Sequence, residues 1–180
     1  MAKNKMSLAQ EALDKIPSFE DETESVEELL NDGTFLNDEL KTHQKIKTTF
    51  SGSLVELKKN KAKVILQTTH EMSVDEFGLI HSGFIFGAAE YAAIAAVNEE
   101  NIVIIGCKSK FFAPAKVGDL IVLEAQGRFE EARKREIKVV GFINEIKVFE
   151  GLFHAIILEN HILKTKIDEL QASMQGKDFS

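Results

Sequence analysis

The 180-residue sequence has no tryptophan, one tyrosine, one cysteine and two prolines. A lone cysteine, Cys107, excludes an intrachain disulfide and removes the mark of an oxidising compartment. Two prolines leave room for long uninterrupted elements. Positive charge is also scarce: 22 Lys and Arg stand against 29 Asp and Glu, a net charge of -7. That balance argues against broad nucleic-acid binding, which needs a basic face. No apolar run approaches the roughly 18 residues of a membrane span. The richest stretch, residues 83–97, is shorter and contains Glu90. The opening "MAKNKMSLAQEALDKIP" has lysines but no apolar run behind them, so it does not read as a secretory signal. The expectation is a soluble, cytoplasmic chain of bacterial type, with no membrane or nucleic-acid partner.

What is present is a Phe-rich, 44% hydrophobic chain, enough for one compact core. Charge is unevenly spread. Residues 1–40 hold eleven acidic and three basic residues, net -8, and the remainder is net +1. This places a boundary near Lys41 and predicts an acidic helical leader over residues 1–40, a main domain over 41–165 and a C-terminal helix and tail over 166–180. In the leader, Leu8, Ala12 and Ile16 share one helical face, and "SVEELL" follows a serine suited to capping. The leader reads as a solvated helical arm or as a docking segment for a protein partner.

From Lys45 the pattern turns strand-like. "IKTTFSGSLVELKKNKAKVILQTTH" predicts two strands around "KKNK", and "EMSVDEFGLI" a loop. A helix follows over about 82–99. "NIVIIGCKSKFFAPAKVGD" then predicts a buried strand, with Cys107 as a buried structural thiol, broken at Pro114 and by a "VGD" turn. Three further long strands follow, with turns expected at "EEARKRE" and "FEG". Hairpin-length connections favour an antiparallel sheet. The fold class is therefore α+β, a sheet wrapped around one long helix rich in alanine and glycine.

That helix carries Gly83, Gly87, Ala88, Ala89, Ala92, Ala93, Ala95 and Ala96, small enough for close packing on a sheet, and apolar nearly all round. The neighbours of Glu90 at helical spacing are Phe86, Gly87, Ala93 and Ile94, none of which pairs a carboxylate. A carboxylate so placed is a functional candidate, the alternatives being an exposed helix edge or a distant lysine. The preceding loop "DEFGLIHSG" brings Asp75, His81, Ser82 and Gly83 to the helix N-terminus, where free N–H groups can polarise a carbonyl.

This segment resembles hotdog-fold acyl-CoA thioesterases of the phenylacetate-pathway and 4-hydroxybenzoyl type. Their pattern is an Asn or Asp, a Gly-containing loop, His-Gly-Gly, and an acid nine positions after that His. Asp75, His81 and Glu90 fall on it, and "FFAPAKVGD" resembles the family's strand end through Phe111, Pro114, Gly118 and Asp119. The similarity runs over residues 46–163. A fainter resemblance is to flagellum-associated hotdog proteins of epsilon-proteobacteria. Two positions depart: Ser82 stands in place of a family glycine, and Ala113 where a basic residue is frequent.

The resemblance implies hydrolysis or binding of a CoA thioester, as substrate or ligand, with no other cofactor and no metal. It implies Glu90 as general base or nucleophile from the facing subunit, Asp75 orienting water or substrate, and His81 holding the loop. Backbone N–H groups near Ser82 and Gly83 would meet the carbonyl. Lys108, Lys110, Lys116 and Arg128 are the candidate grips on CoA phosphates, in a homodimer or a dimer of dimers. The alternative it leaves is a non-catalytic acyl-CoA-binding protein with a regulatory, virulence or motility role. The other histidines show no metal-ligand spacing.

Overall fold

The computed structural model describes residues 35–36, 38–131 and 133–164. The expected leader helices and C-terminal helix lie outside them. The chain runs β1 (Phe35–Leu36), α1 (Thr48–Ser51), β2 (Ser53–Lys58), β3 (Lys61–Gln67), a 3-10 turn (His70–Met72), α2 (Ser82–Val97), β4 (Ile102–Phe111), β5 (Leu120–Glu131), β6 (Lys134–Ile143) and β7 (Ile146–Ile157). Among the described residues, one sheet in the order β1-β2-β3-β5-β6-β7-β4 holds every strand. Six strands pair antiparallel, and the two-residue β1 adds in parallel to β2. The α+β sheet wrapped around one helix is as expected.

The helix sits inside the curl because its small residues let strands close on it. Ala88, Ala89, Ala92, Ala93, Ala95 and Ala96 are all buried. They pack with Leu57, Val64, Leu123, Ile137, Phe149 and Phe153, each fully buried. His81 caps its start, its Nδ1 accepting from the Gly83 N–H at 2.9 Å. Asn98 ends it in a left-handed conformation, φ 54°, with its N–H donating to the Ile94 carbonyl. The Asn98 side chain also binds the Lys41 N–H and the Glu39 carbonyl, tying the incoming chain to the helix end.

Two turns are set by asparagines that tolerate positive φ: Asn60 between β2 and β3, and Asn144 between β6 and β7. The second corrects an expectation. "FEG", residues 149–151, is the middle of β7 and not a turn. Gly151 is there because the rings of Phe149 and Phe153 close over it. A Cβ at 151 would lie 2.7 Å from a Phe153 ring carbon.

The strand after α2 is also not the buried strand expected. β4 is the sheet edge, paired with β7 alone. Ile105 is 59% exposed and Cys107 is exposed rather than a core thiol. An apolar run of strand length looks the same from sequence whether it is central or at an edge.

Candidate functional site

α2 is buried on all sides but one. Phe86, Gly87 and Glu90 are half-buried on that remaining stripe, and a Cβ at Gly87 would meet nothing within 4 Å. β4 borders the opening. Its register sets Cys107 opposite Phe153, Ser109 opposite Gly151 and Phe111 opposite Phe149. Directly paired residues share a face, so these three point to the helix side with the buried phenylalanines. Phe86 meets Phe153 at 5.6 Å and Phe111 meets Phe149 at 5.2 Å between ring centres. The outcome is an aromatic-floored, open-sided groove with Glu90 on one wall.

Glu90 faces the strand across it. Partial burial pushes the Cys107 thiol above its ordinary pKa, a Ser109 hydrogen bond pulls it back, and the Glu90 carboxylate raises it again. No salt bridge to Glu90 occurs among the described residues.

The loop before α2 is rigidly built. Ser73 bridges Ile80, Leu79 bridges Lys116, and the Ile80 N–H reaches the Ala115 carbonyl at 2.9 Å. Asp75 organises the tip: its Oδ1 accepts from the Phe77 and Leu79 N–H groups, both at 3.0 Å. Gly78 turns the chain at φ 82°. The carboxylate expected to orient water thus has one oxygen committed to its own loop. Phe77, which the sequence did not single out, is held at the tip 86% exposed.

At the helix N-terminus the Gly83 N–H is taken by His81 Nδ1, and the Phe84 N–H by the His81 carbonyl. Among the described residues the Ser82 N–H has no acceptor and is the open donor.

The candidate basic residues separate. Lys116 lies in the loop paired to the Asp75 loop, its N–H on Asp119 Oδ2 at 2.8 Å. Lys108 and Lys110 alternate with Cys107 and Ser109, so they stand on the outer face of the sheet, away from Glu90. Arg128 lies at the other end of α2, in a 250 Å³ cleft with Val97, Asn60 and Arg135. No cluster of three or more metal-ligating side chains occurs among the described residues.

No protein-family model matches the sequence. The chain is 48% identical to Cj0977, a sigma28-regulated virulence protein from Campylobacter jejuni; the match covers 68% of this chain and 95% of that one, with a TM-score of 0.67. PaaI of E. coli, from the phenylacetic acid degradation operon, shares the fold at 18% identity over 62% of this chain and 83% of its own, TM-score 0.57. The chain belongs to the same family as Cj0977, and its fold is the hotdog fold. Other relatives of this hotdog chain carry different names. A protein of Aquifex aeolicus named methylthioribose-1-phosphate isomerase is 41% identical over 120 residues, 67% of this chain. The chain spans about a quarter (26%) of that protein's length. Transcription factor FapR of Caldanaerobacter subterraneus is 26% identical over 134 residues, 72% of this chain and 67% of its own.

Proposed function

We propose that this hotdog protein binds a CoA thioester in the groove between α2 and β4 and hydrolyses it with Glu90 as general base. The carrying observation is Glu90 itself: a half-buried carboxylate without a salt bridge among the described residues, on the open stripe of an otherwise buried helix, above an aromatic floor. The acyl group takes the groove, and the carbonyl oxygen takes the open Ser82 N–H at the positive end of α2. Water attacks the carbonyl carbon while Glu90 accepts its proton. The C–S bond then breaks and the proton passes to the leaving thiolate.

Two copies are needed for this arrangement. Ser82 and Glu90 lie eight residues apart on one helix, about 12 Å along its axis. Groups flanking one reacting carbonyl stand about 3–3.5 Å from it. Glu90 therefore comes from a second copy, and the unpaired edge of β4 is where that copy adds. A homodimer, alone or doubled, is part of the proposal, as is a cytoplasmic site of action suited to a single unpaired cysteine. Lys116 is the basic residue beside the entrance and takes a CoA phosphate.

One observation favours the second reading, a non-catalytic acyl-CoA-binding protein. The Gly83 N–H is occupied by His81, which leaves one open donor where two would polarise a carbonyl better. Relatives named as a virulence protein and a transcription factor agree with a regulatory role. A panel of acyl-CoA esters scored for both binding and thiol release tests the two together. Turnover with saturable binding supports the enzyme, binding without turnover supports the module, and neither refutes both.

A further inference from the structure

The free edge of β4 is built to take a second strand at close range. Gly106, Cys107 and Ser109 are small, and Ile105 stands 59% exposed beside them. Two copies of one strand that meet about a twofold axis run antiparallel, and directly opposite residues share a face. One residue then faces its own copy, and its number fixes the register of the whole interface.

The level of the axis follows from α2. Ser82 of one copy and Glu90 of the other flank one carbonyl, and the reverse pair flanks the second, so the axis crosses α2 midway, at residue 86. This step rests on the thioester reading. The ring of Phe86 lies 5.6 Å from that of Phe153, and Phe153 is paired with Cys107. The axis therefore meets β4 at the level of Cys107. Strand length agrees: with Cys107 on the axis, residues 103–111 of each copy face each other, all of them inside β4. Charge agrees too. An axis at Lys108 sets that lysine against itself, and one at Ser109 sets Lys108 against Lys110, like charges directly opposite in both cases. With the axis at Cys107, Lys108 meets Gly106, and Lys110 meets the apolar bulge at Ile104 and Ile105.

We infer that the second copy adds antiparallel to β4 with Cys107 opposite Cys107 on the twofold axis, so that the interface carries a thiol pair which a disulfide oxidant closes. Opposite residues of an antiparallel pair have Cα atoms about 4.5–5.5 Å apart, inside the span of about 4.4–6.8 Å that a disulfide bridges. Both thiols point to the helix side, where the groove is open to a small oxidant. Each thiol gives up its proton and the pair gives up two electrons; a diazene such as diamide takes up both and leaves as the hydrazine.

Diamide treatment of the native protein, read on non-reducing gels, tests the register. Cys107 is the only cysteine, so every covalent dimer joins Cys107 to Cys107. The expected product is a covalent dimer, reversed by dithiothreitol, that forms at the same rate when the protein is diluted, because the thiols already face each other. Gly106→Cys, Lys108→Cys and Ser109→Cys, each made together with Cys107→Ser, set the Cα atoms of the two new cysteines about 8 Å or more apart. That exceeds the reach of a bridge, and each should link at least about tenfold more slowly than the native chain. A rate that falls in step with dilution, or a faster link from any of the three variants, overturns the register. Acyl-CoA binding and thiol release on the same protein separate the two readings. Linkage at Cys107 with neither binding nor release removes the thioester reading and leaves the interface standing. Release with linkage at another position removes this register alone.

Discussion

Glycine to alanine at two positions of α2 should have opposite signs. At Gly87 an added Cβ meets nothing within 4 Å, so only the backbone effect remains. Alanine is favoured over glycine in a helix interior by about 0.8–1 kcal/mol. For a chain of this size that raises Tm by about 2–4 °C. At Gly83 the Cβ would lie 2.6 Å from His81 Nδ1 and Cε1, inside the ring that caps the helix. His81 must swing away and the cap is lost, at about 1 kcal/mol, with crowding added. Gly83→Ala should therefore lower Tm by several degrees. The assay is thermal unfolding by circular dichroism at one fixed protein concentration, since association shifts Tm. A lowered Tm for Gly87→Ala would refute the open stripe as drawn, because something would have to fill the space beside Gly87. An unchanged Tm for Gly83→Ala would refute the cap.

Cys107 reports on Glu90. Its raised pKa predicts slow alkylation near neutral pH, and Glu90→Gln, which removes the anionic push, should speed labelling by about two- to threefold; an equal or slower rate would mean that the two do not face each other. Gly151→Ala forces a Cβ against the Phe153 and Phe149 rings at 2.7–3.0 Å and should cost about 1–3 kcal/mol in urea unfolding, whereas no loss would mean that the floor has slack.

The central helix was legible because its composition is extreme: small residues on every side can only be buried. The capping role of His81 was not legible, because a histidine before a helix carries no capping signal of the Ser, Thr, Asp or Asn kind. Strand position was not. Residues 102–111 read as core, yet β4 has a neighbour on one side only, and edge status depends on pairings made far along the chain. For the same reason the sequence offers Lys108 and Lys110 as grips on CoA phosphates without showing that they stand on the outer face. Alternation held the clue, since Cys107, Ser109 and Phe111 must face opposite to both lysines. Arg128 was separated from the site by the length of α2, which sequence spacing does not express. The "FEG" turn failed because a glycine under two aromatic rings and a glycine in a turn look alike in sequence.

Glu90 is the working carboxylate of the proposed reaction, and Glu90→Gln tests that role most directly. The substitution keeps the shape and removes the charge. Thiol release from an acyl-CoA that the native protein hydrolyses should fall by about 10²-fold or more, with acyl-CoA affinity and Tm held. Native rates in the variant would contradict the claim. A collapse of Tm would contradict it too, since it would make Glu90 a structural partner and not a base.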